Sequence, residues 1–217
     1  MTGHRRSLGA DKKDCLQPYA WSCAGLWLGC CSIAIRVGYT DEVEIFTPSE
    51  VAKLLAHAEE RFLPWIVLIA FGGVRNEELK KGLIWESINF NRGYLIVPAS
   101  IAKTNRKRKI DLPENALEWL APYRNRQGAI FAHDFRAPLA RCCEAASVTN
   151  KRNALRHSFG SYRMEMLRNA GAVALEIGNS AAIVMKHYFE IVDKEAAEAY
   201  WNIRPVPRGD RKIVKLA

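Results

Sequence analysis

The sequence predicts a mostly helical α+β domain that carries one small antiparallel sheet. Two observations support this prediction. Apolar residues recur at helical spacing from residue 47 onward, but between residues 85 and 112 short apolar and aromatic runs bounded by turn residues replace that spacing. Helical segments then return as far as residue 201. At 217 residues the chain has room for one domain of ordinary size.

The helices at the start of this region have recognisable ends. Thr47 can cap a helix that begins at Pro48, and Glu50 completes a capping box with Thr47. The apolar stretch from Phe62 to Phe71 has the length of a buried helix, and a pair of glycines ends it. A further short helix is predicted from Arg75 onward.

Three short strands are predicted after these helices, over residues 85–90, 93–98 and 107–112, with a turn at 91–93. Pro98 and Pro113 close the second and third strands. Beyond the sheet the sequence predicts helices over residues 114–120, 135–146, 153–167, 172–177, 181–187 and 194–201.

The chain is basic, with a net charge of +9 and a pI near 9.4. Residues 1–44 contain five Lys or Arg and five acidic residues, so the whole excess lies in the remainder. A basic domain suits a polyanionic partner, because neutralising phosphates releases counterions. A merely basic protein without such a partner is the alternative.

We predict an unassigned segment over 1–44, a domain over 45–205 and a basic tail over 206–217.

The six cysteines form no CxxC pair, and their spacing argues against a disulfide framework and a zinc site. We therefore expect free thiols and no bound metal in a reducing cytoplasm. Residues 16–35 are uncharged and superficially resemble a signal peptide or membrane span, but they include Gln17 and Pro18 and lack a small-residue cleavage site. We expect a cytoplasmic protein without a membrane anchor, with export or anchoring as the alternative.

Four residues, in chain order, match the needs of metal-free attack on a phosphodiester. The transition state needs fixed cations, and the planar forks of Arg75 and Arg156 are suited to that role. The phenol of Tyr188 can form a stable covalent intermediate if neighbouring cations favour its ionised form. Lys103, on a hairpin turn, can give a proton to the departing sugar oxygen.

Each of these residues also has an ordinary structural explanation. Arg75 can pair with a glutamate one helical turn later, Arg156 can lie on a helix surface, and Tyr188 can be a core residue. Lys103 begins a basic run that can be a solvated hairpin or a patch along a nucleic-acid backbone. Each explanation is favoured for its own residue, but the four together are improbable.

The ordered set resembles the catalytic domain of tyrosine recombinases, the phage-integrase family, over roughly residues 45–203. The segments that carry the resemblance are Gly-Val-Arg75-Asn-Glu-Glu78-Leu, the hairpin lysine Lys103, Asn153-Ala-Leu-Arg156-His157-Ser-Phe, Ile177-Gly-Asn179-Ser, and Tyr188 nine positions after Asn179. It implies the fold of that catalytic domain, and site-specific recombination or integration of DNA by a mobile element, without metal or cofactor.

The resemblance also implies a mechanism and partners. Tyr188 would attack a scissile phosphate of double-stranded DNA, giving a 3′-phosphotyrosyl link and a free 5′-hydroxyl. Family members act as a synaptic tetramer on two duplexes. Residues 194–201 resemble the segment that docks on a neighbouring subunit. The alternative of a monomer in the absence of DNA is left open. The candidate DNA contacts are Arg106, Lys107, Arg108, Lys109, Lys151 and Arg152.

Two positions depart from the family's pattern. Asn153 stands where the family has a histidine, and Asn179 where it has a histidine or tryptophan. We keep both as candidate catalytic residues, because an asparagine can still hydrogen-bond a phosphate oxygen, although it cannot carry a proton. Removal of the proton from Tyr188 then falls to water or to a neighbour such as His157.

Most members of the family also have an N-terminal helical domain of about a hundred residues that completes a clamp around DNA. Residues 1–44 are too short for it. The second hypothesis is therefore a truncated or mis-started integrase, or a relic that binds DNA without completing recombination. The third is a basic helical interaction protein with no nucleic-acid role.

Overall fold

A computed structural model describes residues 43–189 and 191–206, and within them it confirms the mainly helical α+β fold. The helices are α1 (Pro48–His57), α2 (Leu63–Gly72), α3 (Asn76–Lys80), α4 (Glu114–Leu120), α5 (Arg136–Ala145), α6 (Ala154–Leu167), α7 (Ala170–Ile177), α8 (Ala181–Tyr188) and α9 (Lys194–Trp201). The strands are β1 (Ile88–Asn89), β2 (Tyr94–Val97) and β3 (Arg108–Asp111).

Two predicted regions fall almost wholly outside the described residues. They are the unassigned segment 1–44, of which the structure describes the last two residues, and the basic tail 206–217, of which it describes the first. The uncharged stretch 16–35 and the cysteines within it belong to the first of these. In the described part, Cys142 and Cys143 are free thiols, and no helix there has the length and apolar character needed to cross a bilayer.

Helix α2 lies at the centre of the core. Every residue from Pro64 to Gly72 is buried, and the helix packs against α4 and α6. A helix that is apolar all round is stable only where it is covered all round. It ends because Gly73 adopts a left-handed conformation with φ of 58°, where a side chain would collide with the ring of Phe159. The chain then turns directly into Arg75.

The sheet has the order β1-β2-β3 and is antiparallel throughout. The prediction of a strand over 85–90 is wrong at its start, because Trp85–Ser87 forms a 3₁₀ turn and only Ile88–Asn89 pairs with β2. The reason is a contact distant in sequence. The Trp85 ring stacks on Tyr123 at 5.5 Å, and its backbone N–H donates to the carbonyl of Gly128.

Successive side chains of β3 point to opposite faces of the sheet, and this alternation decides where its basic residues point. Ile110 is fully buried and Arg108 is directed to the same side. Lys109 and Asp111 are exposed and form an ion pair at 2.7 Å. One arginine of the basic run therefore faces the protein interior.

Helix α9 packs against α1 and α6 of its own chain. Tyr200 is fully buried, stacks on Tyr162 at 4.0 Å, and donates its hydroxyl to the carbonyl of Ala70 in α2. The indole N–H of Trp201 donates to the carbonyl of Tyr162. This helix therefore completes the core of its own chain, and its docking on a neighbouring subunit stays a prediction.

Candidate active site

A cleft of about 670 Å³ brings the predicted catalytic residues together. Its lining comes from the start of α3, the β2–β3 connection, the start of α6 and the end of α8. The predicted residues among its lining are Arg75, Lys103, Asn153, Arg156, Asn179 and Tyr188. The structure thus places in one cavity six side chains that lie as far as 113 positions apart along the chain.

The C-terminal end of α7 forms one wall of this site and binds three arginines. The carbonyls of the three successive residues 176–178 accept hydrogen bonds from Arg108 at 3.0 Å, Arg156 at 2.5 Å and Arg75 at 2.5 Å, respectively. Carbonyls at a helix end lack intrahelical partners and carry the negative end of the helix dipole. They therefore hold three guanidinium groups close together in spite of their mutual repulsion.

A buried carboxylate joins two of these arginines. Glu78 is 1% exposed and accepts from Arg108 through both oxygens, at 2.5 and 2.6 Å. It also accepts from the side chain and the backbone N–H of Arg75, at 3.2 and 2.9 Å. Burial acts to raise the pKa of Glu78, but the hydrogen bonds and charges of the two arginines outweigh it and hold the pKa below its ordinary value.

Gly178 lets Arg75 approach the helix end. It caps α7 with φ of 70°, and a Cβ at this position would lie 2.9 Å from the Arg75 guanidinium. The next residue, Asn179, accepts from the same guanidinium through its side-chain oxygen at 3.2 Å. Ser180 then caps α8 through its hydroxyl. This short turn fixes Asn179 beside Arg75.

Arg156 is held from two sides in the first turn of α6. One of its terminal nitrogens donates to the carbonyl of Gly73 and the other to that of Ile177. Burial lowers the pKa of Arg156 to about 9, with the charges of Arg75 and Arg108 adding to the effect. The group remains protonated at neutral pH.

Asn153 occupies the N-cap position of α6 in a left-handed conformation, with φ of 57°. Asparagine is among the few residues other than glycine that adopt this conformation readily. Its side chain is exposed and makes no capping hydrogen bond. The side chain of Asn153 therefore faces the cleft and is not used to cap α6.

Tyr188 is the last residue of α8 and is 4% exposed. Its ring packs against the backbone of Gly160, so closely that a Cβ at Gly160 would lie 3.0 Å from the ring. Its hydroxyl lies 3.2 Å from Nδ1 of His157. Burial raises the pKa of Tyr188 above its ordinary value, while Arg156 and Arg75 act to lower it. In the free protein the cations therefore do not by themselves produce a phenolate.

The structure divides the predicted DNA contacts into two groups. The first group is exposed and consists of Arg106, Lys107, Lys109 and Arg152, while Lys103 is exposed and also lines the cleft. The second group is engaged within the protein. Arg108 is bound to Glu78, and the ammonium of Lys151 contacts both carboxylate oxygens of Glu50, at 2.9 and 3.0 Å, and the carbonyl of Ile45.

Sequence reasoning missed the inward direction of Arg108 and the role of Gly178. For Arg108 a signal was available, since a strand with Ile110 in the core must direct the residue two positions earlier to the same side. For Gly178 the requirement comes from Arg75, which lies 103 positions away in sequence, so no local pattern indicates it.

Comparison with solved structures identifies the fold. The XerA recombinase superimposes with a TM-score of 0.58 at 18% identity, over 76% of this chain and 67% of that one. The Tn1549 transposon integrase in complex with a circular intermediate DNA gives 0.57 at 18%, over 74% and 66%. The catalytic domain of bacteriophage HP1 integrase gives 0.54 at 14%, over 76% and 90%.

These similarities confirm the predicted fold, which is that of the tyrosine recombinase catalytic domain. The chain spans about two thirds of the lengths of the XerA and Tn1549 proteins and most of the HP1 domain. No protein-family model matches the sequence, and no curated protein matches it either.

Proposed function

We propose that this protein breaks and rejoins DNA strands as a tyrosine-type site-specific recombinase, through a 3′-phosphotyrosyl intermediate. The observation that carries the proposal is the convergence of Arg75, Arg156, Lys103 and Tyr188 on one cleft, within a fold shared with recombinases and integrases. The wall of α7 carbonyls supports it, because it keeps two cations beside the tyrosine before any anion arrives.

The arginines would bind the scissile phosphate through their remaining N–H groups. Arg156 donates two of its five N–H groups to protein carbonyls, and Arg75 donates three, to a carbonyl, Glu78 and Asn179, so both keep N–H groups that can contact phosphate oxygens. Donors that are already oriented cost no reorganisation when charge develops in the transition state. Asn153 and Asn179, which line the same cleft, would add amide hydrogen bonds.

Bond exchange would involve Tyr188 and Lys103. The phenolic oxygen attacks phosphorus, the bond to the 5′-oxygen breaks, and Lys103 gives a proton to that oxygen. Lys103 is exposed on the β2–β3 connection and lines the cleft, so a DNA strand in the cleft would pass within its reach. Attack by a 5′-hydroxyl from a second duplex reverses the step and completes strand exchange.

The partner would be double-stranded DNA in the cytoplasm, contacted outside the cleft by the exposed residues Arg106, Lys107, Lys109 and Arg152. Two of the similar proteins support this partner: the Tn1549 integrase was solved with DNA, and XerH was solved bound to its difH substrate after cleavage. Strand exchange between two duplexes would require four copies, each providing one tyrosine. A relic that binds DNA without cleaving it is the second hypothesis.

A suicide DNA substrate that traps the covalent intermediate tests the proposal. The wild-type protein is expected to give a denaturation-resistant protein–DNA adduct, and Tyr188→Phe is expected to give none while binding DNA normally. Tyr162→Phe is the matched control, because it also removes a buried hydroxyl but lies outside the cleft.

Each alternative gives a different result. Adduct formation by Tyr188→Phe would remove Tyr188 from the mechanism. Salt-dependent DNA binding without any adduct from the wild type would favour the relic. Absence of both would favour an interaction protein with no role on DNA.

A further inference from the structure

We propose that His157 is the general base that takes the phenolic proton of Tyr188. This role rests on the function proposed above, and it fills a step that Asn153, at the same end of α6, cannot perform. The observation behind it is the contact between the imidazole Nδ1 and the tyrosine hydroxyl, at 3.2 Å.

The contact is fixed by the two helices that carry it. His157 lies in the first turn of α6, and its backbone N–H donates to the carbonyl of Asn153. Tyr188 ends α8, and its ring is pressed against the backbone of α6 at Gly160. The two rings lie 5.9 Å apart and are tilted by 43°. A distance of hydrogen-bond length is the first requirement for a general base.

The surroundings of His157 favour its neutral form, which is the form that can accept a proton. Burial lowers its pKa, and the charges of Arg156 and His187 lower it further. Besides these two groups and Tyr188, Arg152 and Glu44 line the open cleft on this side of the ring. The neutral imidazole accepts through Nδ1 when its proton is on Nε2. The buried phenol has a raised pKa and so needs such an acceptor.

The proposed step balances protons and bonds. The proton leaves the Tyr188 oxygen for Nδ1 of His157 as the oxygen–phosphorus bond forms and the bond from phosphorus to the 5′-oxygen breaks. Lys103 supplies the proton for that departing oxygen. In the reverse attack the incoming 5′-hydroxyl gives its proton to the neutral Lys103 amine as its oxygen bonds to phosphorus, and the imidazolium returns its proton to the Tyr188 oxygen as the phosphotyrosyl bond breaks.

The alternative is that His157 only packs against Tyr188, and kinetics separates the two roles. We expect His157→Asn to lower the second-order rate of adduct formation by about 10²–10⁴-fold, which is typical of a lost general base. It should also remove the acidic limb of the pH–rate profile. His187→Asn is the matched control: its ring lies 6.5 Å from that of Tyr188 without the hydrogen bond that His157 makes, so we expect it to keep the acidic limb, moved to higher pH because the charge of His187 lowers the pKa of His157.

A second variant distinguishes lost chemistry from lost structure. Adding Asn153→His to His157→Asn places an imidazole in the same cleft, and we expect it to restore part of the rate and a pH limb. The fold of each variant is checked by thermal unfolding. An unchanged rate and profile in His157→Asn overturns the role of His157 alone, whereas a wild type that forms no adduct overturns the proposed function as well.

An NMR titration gives a result that does not depend on turnover. A hydrogen bond from Tyr188 favours the neutral imidazole, so Tyr188→Phe is expected to raise the pKa of His157. The wild-type imidazole is expected to carry its proton on Nε2. A pKa of His157 that stays the same in Tyr188→Phe, or a proton on Nδ1, overturns the proposal.

Discussion

Gly178 illustrates how a single residue without a side chain can govern a charged site. Its φ of 70° strains any residue with a Cβ, and Arg75 lies within 2.9 Å of where that Cβ would be. We expect Gly178→Ala to displace Arg75 and lower the rate of adduct formation by about 10²–10³-fold, the usual effect of losing one transition-state donor. Rates on the suicide substrate, with urea unfolding of the same samples, measure the two effects separately.

The control for this variant is Gly128→Ala. Gly128 has a similar φ of 78°, but a Cβ there meets no atom within 4 Å. Both variants are therefore expected to lose about 1–2 kcal/mol of stability from the left-handed backbone. If the two variants lose cleavage activity equally, the contact between Gly178 and Arg75 has no special importance for the reaction.

Lys103 is expected to act on the departing 5′-oxygen more than on DNA affinity. A substrate with a 5′-bridging sulfur has a leaving group that departs without a proton, so it is expected to rescue Lys103→Ala. Lys107→Ala, in the same exposed connection but absent from the cleft lining, is expected to weaken DNA binding without changing the rate at which bound substrate of either kind is cleaved. Failure of the rescue, together with weaker binding that accounts for the whole defect, would make Lys103 only a phosphate contact.

At the scale of elements, Arg108 connects the sheet to the end of α7. Its guanidinium binds Glu78 and the carbonyl of Glu176, so β3, α3 and α7 meet at this one side chain. Removing one partner of a buried ion pair typically costs about 3–5 kcal/mol. We expect Arg108→Ala to lower the free energy of unfolding toward that range, measured with urea, while Lys107→Ala changes it by less than about 0.5 kcal/mol.

The same ion pair gives a prediction about acid. The pKa of Glu78 is lowered in the folded protein, so its contribution to stability is present above the ordinary value of 4.5 and is lost as pH falls below it. Arg108→Ala is expected to reduce this loss, because the pKa of a buried Glu78 rises when a cation is removed. A pH dependence identical to that of the wild type would contradict the assigned ion pair.

Elements determined by neighbours in sequence were predictable, and those determined by distant contacts were not. The capping box of α1 involves Thr47 and Glu50, three positions apart, and it was predicted correctly. The 3₁₀ turn at Trp85 depends on Tyr123 and Gly128, which come much later in the chain. The sequence predicts DNA contacts at Arg106, Lys107, Arg108 and Lys109 alike, because charge alone does not reveal direction, whereas the alternation of β3 separates Arg108 from its neighbours.

The candidate catalytic residues could be named from the sequence because they occur in a fixed order, but the contacts that hold them in place could not be predicted. Arg75 and Arg156 could be named as candidates, yet the carbonyls of α7 that bind them carry no sequence signal, since every residue has a carbonyl. The contact between His157 and Tyr188 needs two helices whose packing depends on the whole core.

At the scale of the whole molecule, the excess positive charge lies outside residues 1–44. DNA affinity is expected to fall linearly with salt on a logarithmic plot, because counterions are released from phosphates. Lys107→Ala and Arg152→Ala are each expected to reduce that slope by about one. Arg141→Ala is the control, because Arg141 pairs with Glu59 and lines a different cleft. Equal slopes for all three variants would indicate binding elsewhere on the surface.

The carbonyl wall at the end of α7 has a practical consequence for handling the protein. Strong salt strips a basic protein of bound nucleic acid and screens exposed ion pairs, but it screens partly buried hydrogen bonds to backbone carbonyls much less. We therefore expect the hydrogen bonds from Arg75, Arg108 and Arg156 to the α7 carbonyls to persist through a high-salt wash. A sample purified free of nucleic acid in this way is expected to react with fresh substrate as soon as the salt is diluted, with no lag for refolding.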